Sequence, residues 1–143
     1  MTLTIANDRT ARAERLFKKH LEMFTNSWMT QEDYGNLFTQ DAIQEYPYAP
    51  APYSKLLQGR DVIAAYITNV TKSATEWTFT DLIFSATSDP DTVFIEFKGS
   101  ALVTATGKTY NQIYIGRITL EGEQIKHYTE YWNPSWILDA FIA

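Results

Sequence analysis

The chain has 143 residues, of which 45% are hydrophobic and 20% charged, the length and usage of one globular domain rather than of a disordered or collagen-like chain. Twelve Lys and Arg stand against seventeen Asp and Glu, a formal charge of −5, so the net positive field that gathers nucleic-acid phosphates or anionic lipid is missing. Cysteine is absent, which removes disulfides, thiolate metal sites and cysteine nucleophiles.

Met1 to Asp8 has neither the basic start nor the apolar run of a secretory signal, and no apolar run reaches membrane-spanning length, so a soluble cytoplasmic protein is expected, with no membrane partner. Ala13, Leu16, Phe17, His20, Leu21, Phe24 and Trp28 then recur at helical spacing, with Arg12, Arg15, Lys18, Lys19 and Glu22 opposite, which predicts one long amphipathic helix. Thr30 to Asp33 reads as a capping box for a short second helix whose buried stripe is Tyr34, Leu37 and Phe38. Ala42 to Tyr48 predicts a strand, and Pro47, Pro50 and Pro52 make the next stretch an irregular loop.

After Gly59, the positions Val62, Ile63, Tyr66, Ile67 and Val70 form the inner stripe of a third helix. The period then changes to two. Strands are predicted over Trp77 to Thr87, Thr92 to Ala105, Thr109 to Leu120 and Gln124 to Trp132, joined by connections short enough for antiparallel hairpins. Asn133-Pro134 supplies an N-cap and an N1 proline for a last helical turn or two, with Trp136, Ile137, Ala140 and Phe141 as its apolar positions. Helices followed by four long hairpinned strands predict an α+β fold, helices packed on one face of an antiparallel sheet, and a single domain over residues 1–143.

The chemistry is sparse. The six glycines never form a GxGxxG motif or a P-loop, so no nucleotide cofactor is expected. His20 and His127 lie far apart without ligand spacing, and no metal site is expected. The informative run is Lys126 to Trp132, where alternation places Tyr128, Glu130 and Trp132 on one face. If that face looks toward the helices, Glu130 is boxed by aromatic rings, and desolvation raises its pKa into the range of a general acid or base at neutral pH. On a wet face it is an ordinary exposed glutamate. Glu96 and Glu45 are further strand carboxylates, read as solvent-facing or ion-paired. Tyr110, Gln112 and Tyr114 share a face, where a phenol and an amide could orient a carbonyl-bearing ligand; an aromatic ladder filling the core is the competing reading. Nine Tyr, eight Phe and four Trp supply more aromatic surface than packing alone uses, the Tyr and Trp rings with polar tips.

Several of these features in order resemble the SnoaL-like group of the nuclear transport factor 2-like superfamily: the helical start, Leu37-Phe38 through Asp41-Ala42, Gly59 opening a helix, and Gly122 through Trp132-Asn133-Pro134. Gly59-Arg60-Asp61, Trp77-Thr78-Phe79, Asp89-Pro90-Asp91, Ile95-Glu96 and Thr129 to Asn133 are closest in style to the phenazine-biosynthesis A/B proteins. The resemblance implies a cystatin-like cone in which a curved sheet and helices enclose an apolar pocket, assembled as a homodimer. It also implies isomerase, cyclase or dehydratase chemistry without a cofactor, on a small apolar or cyclic carbonyl compound. Glu130 coincides with the glutamate that looks like the acid–base group of the phenazine-type proteins. Tyr66 stands where those proteins carry a histidine, and Tyr46 where ketosteroid isomerases carry their aspartate base, so phenazine assembly and steroid isomerisation are not supported.

Two functions are expected on these grounds. In the first, Glu130 moves a proton next to a carbonyl and Tyr66, Tyr114 or Tyr46 hydrogen-bonds the enolate oxygen. Trp28, Trp132 and neighbouring rings exclude water, and Gln112 and Tyr128 complete the substrate-binding set. In the second, the pocket only binds a small molecule, or the protein is a dimeric scaffold. A protein-recognition module is a third, weaker alternative.

Overall fold

A computed structural model describes residues 2–26 and 28–142, with side chains from Arg9 onward. The elements run α1 (Thr2–Thr25), α2 (Gln31–Gly35), β1 (Phe38–Glu45), β2 (Leu56–Gln58), α3 (Arg60–Lys72), β3 (Ala74–Ala86), β4 (Thr92–Val103), β5 (Thr109–Glu121), β6 (Gln124–Trp132) and α4 (Pro134–Phe141). One six-stranded sheet has the order β2-β1-β6-β5-β4-β3. The α+β expectation therefore holds, with the long strands and the fourth helix close to their predicted spans.

Three details depart from the expected pattern. The capping box at Thr30 and Asp33 is present, but its helix stops at Gly35, so Phe38 opens β1 instead of extending a helical stripe. That strand ends at Glu45, before Tyr46, and takes a partner that hairpin reasoning does not supply: it runs parallel to β6, with Gln44 opposite Tyr128 and Glu45 opposite Thr129. β2 is only three residues long, too short for alternation to register, and pairs with the outer side of β1.

Curvature comes from β3. Its register against β4 slips between Thr75 and Thr78 and again between Thr80 and Ile83, and Glu76 and Asp81 have positive φ of 56° and 57°. An extra residue at each slip bends and twists the strand. The inner face consequently reads Trp77 and Phe79, then Leu82 and Phe84, all packed against the core. α1 lies across this bend. Phe17, fully buried, meets Phe97 at a ring separation of 5.0 Å, Tyr128 at 5.9 Å and Phe84 at 6.1 Å.

At the start of α3, Gly59 has φ of 94° and its N–H donates to the Ala42 carbonyl at 2.8 Å, which ties the helix to β1 in a conformation unfavourable for any residue with a Cβ. No helix among the described residues is long and apolar enough to cross a membrane. Because Phe17 bridges α1 to β3, β4 and β6, Phe17→Ala is expected to lower unfolding stability by about 3–5 kcal/mol, read as a reduced urea midpoint with an unchanged slope.

Candidate active site

The bent sheet and the helices leave a cavity of about 410 Å³ between them, within the roughly 300–1,000 Å³ usual for small-molecule sites. Its wall takes His20, Leu21 and Phe24 from α1, Tyr66 and Ile67 from α3, Phe79, Phe97, Tyr110 and Tyr114 from the sheet, and Glu130 and Trp132 from β6. Tyr46 and Tyr53, flanking the proline loop, and Ile137 and Phe141, from α4, complete the apolar enclosure. A larger depression of about 760 Å³ lies on the outer face, where Lys98, Ser100 and Asn111 make an open polar groove. Its one carboxyl, Asp139, is exposed, whereas the inner cavity encloses a carboxyl desolvated by burial, Glu130, so the inner cavity is the candidate site.

β6 delivers the acid. Alternation turns Tyr128, Glu130 and Trp132 inward and leaves His127 outside, where its Nε2 meets Glu45 Oε1 at 2.5 Å. The Tyr128 hydroxyl donates to Glu130 Oε2 at 2.6 Å. Burial raises the Glu130 pKa to about 7, while hydrogen bonds from the Tyr128 and Trp132 side chains pull it back down. Near neutral pH the group is therefore split between a proton-donating and a proton-accepting form.

The Tyr128–Glu130 bond depends on a missing side chain. Gly116 sits opposite Glu130 across β5 and β6, and a Cβ there would lie 2.7 Å from both Cε1 and the hydroxyl oxygen of Tyr128. Gly99 performs a similar service one strand away, where a Cβ would come within 2.9 Å of the Tyr114 ring and 3.1 Å of Phe79. With that space open, Tyr114 stacks on Phe97 at 4.6 Å and an interplanar angle of 9°.

A second polar chain runs behind the wall. The Tyr46 hydroxyl donates to Gln44 Oε1, Gln44 Nε2 to the Tyr34 oxygen, and Tyr34 meets His20 Nδ1. Gln44 and Tyr34 are fully buried, so each of these groups needs a protein partner. Burial lowers the His20 pKa to about 4, leaving a neutral imidazole at pH 7, and pushes the Tyr46, Tyr114 and Tyr128 phenols well above their usual value.

Of the residues expected from sequence, Glu130, Tyr66, Tyr46, Tyr114 and Trp132 meet on the cavity wall. Tyr128 stands behind it and touches Glu130. Two do not join them. Trp28 lies beyond the end of α1, outside the helical repeat that suggested it, and is 63% exposed. Gln112 has the predicted inward alternation, but its amide is spent on the junction between β6 and α4, accepting from the Asn133 N–H at 3.1 Å and donating to the Asn133 carbonyl at 2.9 Å. His20 is a wall residue that sequence patterning does not single out as one; its one signal is an imidazole in the apolar stripe of α1. Glu96 is exposed on the outer face. Among the described residues no cluster of three or more His, Asp or Glu is arranged to hold a metal ion.

The same architecture recurs in known proteins. The family model described as a SnoaL-like domain matches residues 18–128. An uncharacterised Bacillus subtilis protein, YesE, is 33% identical over 85% of this chain and 78% of its own length. An uncharacterised phenazine A/B-like protein of Pseudomonas aeruginosa, PA3332, is 34% identical over 73% of this chain and 74% of its own. Among solved structures, a candidate isomerase from Bacillus subtilis superposes with a TM-score of 0.83 at 29% identity, covering 93% of this chain and 94% of that one. The fold is that of the nuclear transport factor 2-like proteins.

The acid in the cavity has a signature in stability. A glutamate whose native pKa of about 7 exceeds its ordinary 4.5 binds a proton in the folded state that the unfolded state has released, so folding weakens as pH rises from 4.5 to 7 and the loss, ~3 kcal/mol, is complete above that range. His20, lowered from 6.5 to about 4, acts in the opposite sense, and stability falls as pH drops through that interval. Urea unfolding of Glu130→Gln is expected to lack the first slope and keep the second, and Tyr128→Phe is expected to move the first inflection to higher pH.

Proposed function

Because the chain belongs to the SnoaL-like family, we propose that it is a cofactor-independent enzyme that moves a proton next to the carbonyl of a small, mostly apolar, cyclic compound, in the manner of an isomerase, cyclase or dehydratase. The observation that carries this reading is the Glu130 carboxyl, raised to about 7 in an apolar cavity and held by the Tyr128 hydroxyl at 2.6 Å.

In the carboxylate form Glu130 takes a proton from the carbon beside the carbonyl, and the C–H electron pair moves into the carbonyl to give an enolate. Where the compound carries a second double bond conjugated with the enolate, returning that proton to the γ-carbon of the dienolate gives the double-bond isomer and regenerates the carboxylate. The phenols of Tyr46 and Tyr114 stay protonated near neutral pH, with their hydroxyls already donating to Gln44 and Tyr110. Tyr66 stands on the same wall, and its hydroxyl can turn toward the developing oxygen. Trp132, Phe97 and Phe141 keep water from the reacting carbon.

A second reading, a ligand-binding protein without turnover, draws on one specific feature: the lining residues set a single carboxyl, Glu130, beside phenols and a neutral imidazole, with no second carboxylate among them. The two are separated by incubation with 2-tetralone in D2O. Proton transfer by Glu130 is expected to exchange the tetralone α-hydrogens for deuterium, with kcat/KM rising with pH and levelling off above about 7, and Glu130→Gln is expected to slow exchange by about 10²–10⁴-fold. Tetralone that binds and keeps its α-hydrogens at the uncatalysed rate supports binding alone.

We also propose that two copies assemble through the outer sheet face, where Phe94, Ile113 and Ile115 are exposed on adjacent strands. Large apolar side chains grouped in this way mark an interaction surface. Sedimentation equilibrium is expected to return twice the chain mass, and the mass of one chain for the double substitution Ile113→Glu with Ile115→Glu.

A further inference from the structure

A polar atom that faces an apolar cavity without a partner is not accounted for by packing, because its desolvation is uncompensated until something else occupies the space. His20 is 5% exposed and forms part of the cavity wall. Its Nδ1 is taken by the Tyr34 hydroxyl at 2.7 Å. Nε2 has no hydrogen-bond partner among the described residues. Nor is it sealed into the protein, since Arg60 Nε is the sole fully buried side-chain nitrogen or oxygen there without one. His20 lines the cavity, and with Nδ1 turned to Tyr34 the Nε2 side of the ring is the one left to face it.

The chain of hydrogen bonds behind His20 has a direction. Tyr46 and Gln44 approach to 2.5 Å, a separation found for O–H···O and too short for N–H···O, which identifies that end of the amide as oxygen. Gln44 must then turn its Nε2 toward Tyr34, 3.3 Å away, and donate. The Tyr34 oxygen accepts that bond, and its own buried proton has no acceptor among the described residues other than His20 Nδ1, so Tyr34 donates there. A neutral imidazole that accepts at Nδ1 carries its proton on Nε2.

We infer that His20 is a second ligand-contacting group of this cavity, whose Nε2–H donates a hydrogen bond to the carbonyl oxygen of the bound compound, with Tyr34, Gln44 and Tyr46 as positioning residues that hold this tautomer. The inference rests on the reading that the cavity takes a carbonyl compound, though not on that compound being turned over. A neutral donor in apolar surroundings suits a neutral acceptor such as a ketone or lactone oxygen, and it strengthens without reorganisation if that oxygen gains charge as an enolate. The role moves away from two tyrosines that the sequence suggested for it. The Tyr46 hydroxyl donates its hydrogen bond to Gln44, and the Tyr114 hydroxyl donates to the Tyr110 oxygen at 3.4 Å.

Two measurements test this, the first without any ligand. In ¹⁵N-labelled protein at pH 7, the imidazole ¹⁵N–¹H correlation of His20 is expected to show the proton on Nε2, and Tyr34→Phe is expected to mix the two tautomers. A proton on Nδ1, or a charged ring, overturns the inference and leaves the role of Glu130 standing. The second uses 2-tetralone labelled with ¹³C at the carbonyl. Its resonance is expected to move downfield on binding, to lose that shift in His20→Phe together with about tenfold in affinity, and to recover part of it in His20→Asn, which keeps an N–H donor. A full shift in His20→Phe overturns the inference. Should that variant not fold, Tyr34→Phe carries the same test, since mixing the tautomers is expected to reduce the shift and an undiminished one overturns it. Tetralone that fails to bind the wild-type protein overturns the carbonyl assignment here and the substrate class proposed above together.

Discussion

A carboxyl group taken out of water sets the terms for the rest of this molecule. Glu130 is held in an apolar cavity by the Tyr128 hydroxyl, with the Trp132 side chain beside it, and the balance between burial and these hydrogen bonds leaves its pKa near 7. With more donors the group would stay ionised and be a weak base; with none it would stay protonated through the neutral range. The balance reaches back to backbone choices. Gly116 leaves the space that the Tyr128 phenol occupies, so a residue with no side chain decides how the acid opposite it on the partner strand is held.

The cavity itself is a consequence of strand irregularity. A flat antiparallel sheet packed under α1 would close onto the helix and leave only core. The two slips in β3 bend the sheet, and α4 brings Ile137 and Phe141 to the wall from another side, so the enclosed volume is built by elements distant in sequence. An apolar cavity forgoes packing contacts, and the neighbouring rings offset part of that loss by stacking on one another, as Phe97 and Tyr114 do. The buried chain from Tyr46 to His20 serves the same region differently. It pairs four polar groups with one another and in doing so holds the His20 tautomer that carries its proton on Nε2.

Much of this was legible in the residues. Alternation in β6 correctly put Glu130 between Tyr128 and Trp132, because a side-chain period of two is imposed by the backbone whatever surrounds it. The long strands, the capping box at Thr30 and the Asn133-Pro134 start of α4 were likewise local and readable. The failures share a cause. Trp28 continued a helical spacing in sequence, but α1 ends at Thr25, and spacing carries no information past a helix end. Gln112 faced inward as expected, yet which partner consumes an inward amide depends on where Asn133 arrives, which is a long-range matter.

Sequence alone determined the fold class and that Glu130 shares a strand face with Tyr128 and Trp132, because both arise from short-range periodicity and turn chemistry; that this face looks into the cavity was decided by the tertiary structure. Tertiary structure alone decided that β1 runs parallel to β6, that the sheet bends enough to leave a void, and that His20 stands on its wall with one nitrogen occupied and the other open. Those outcomes depend on contacts between residues far apart in the chain, whose distances no local pattern records, and on the direction of a hydrogen-bond chain that exists only once four separate side chains have been brought together.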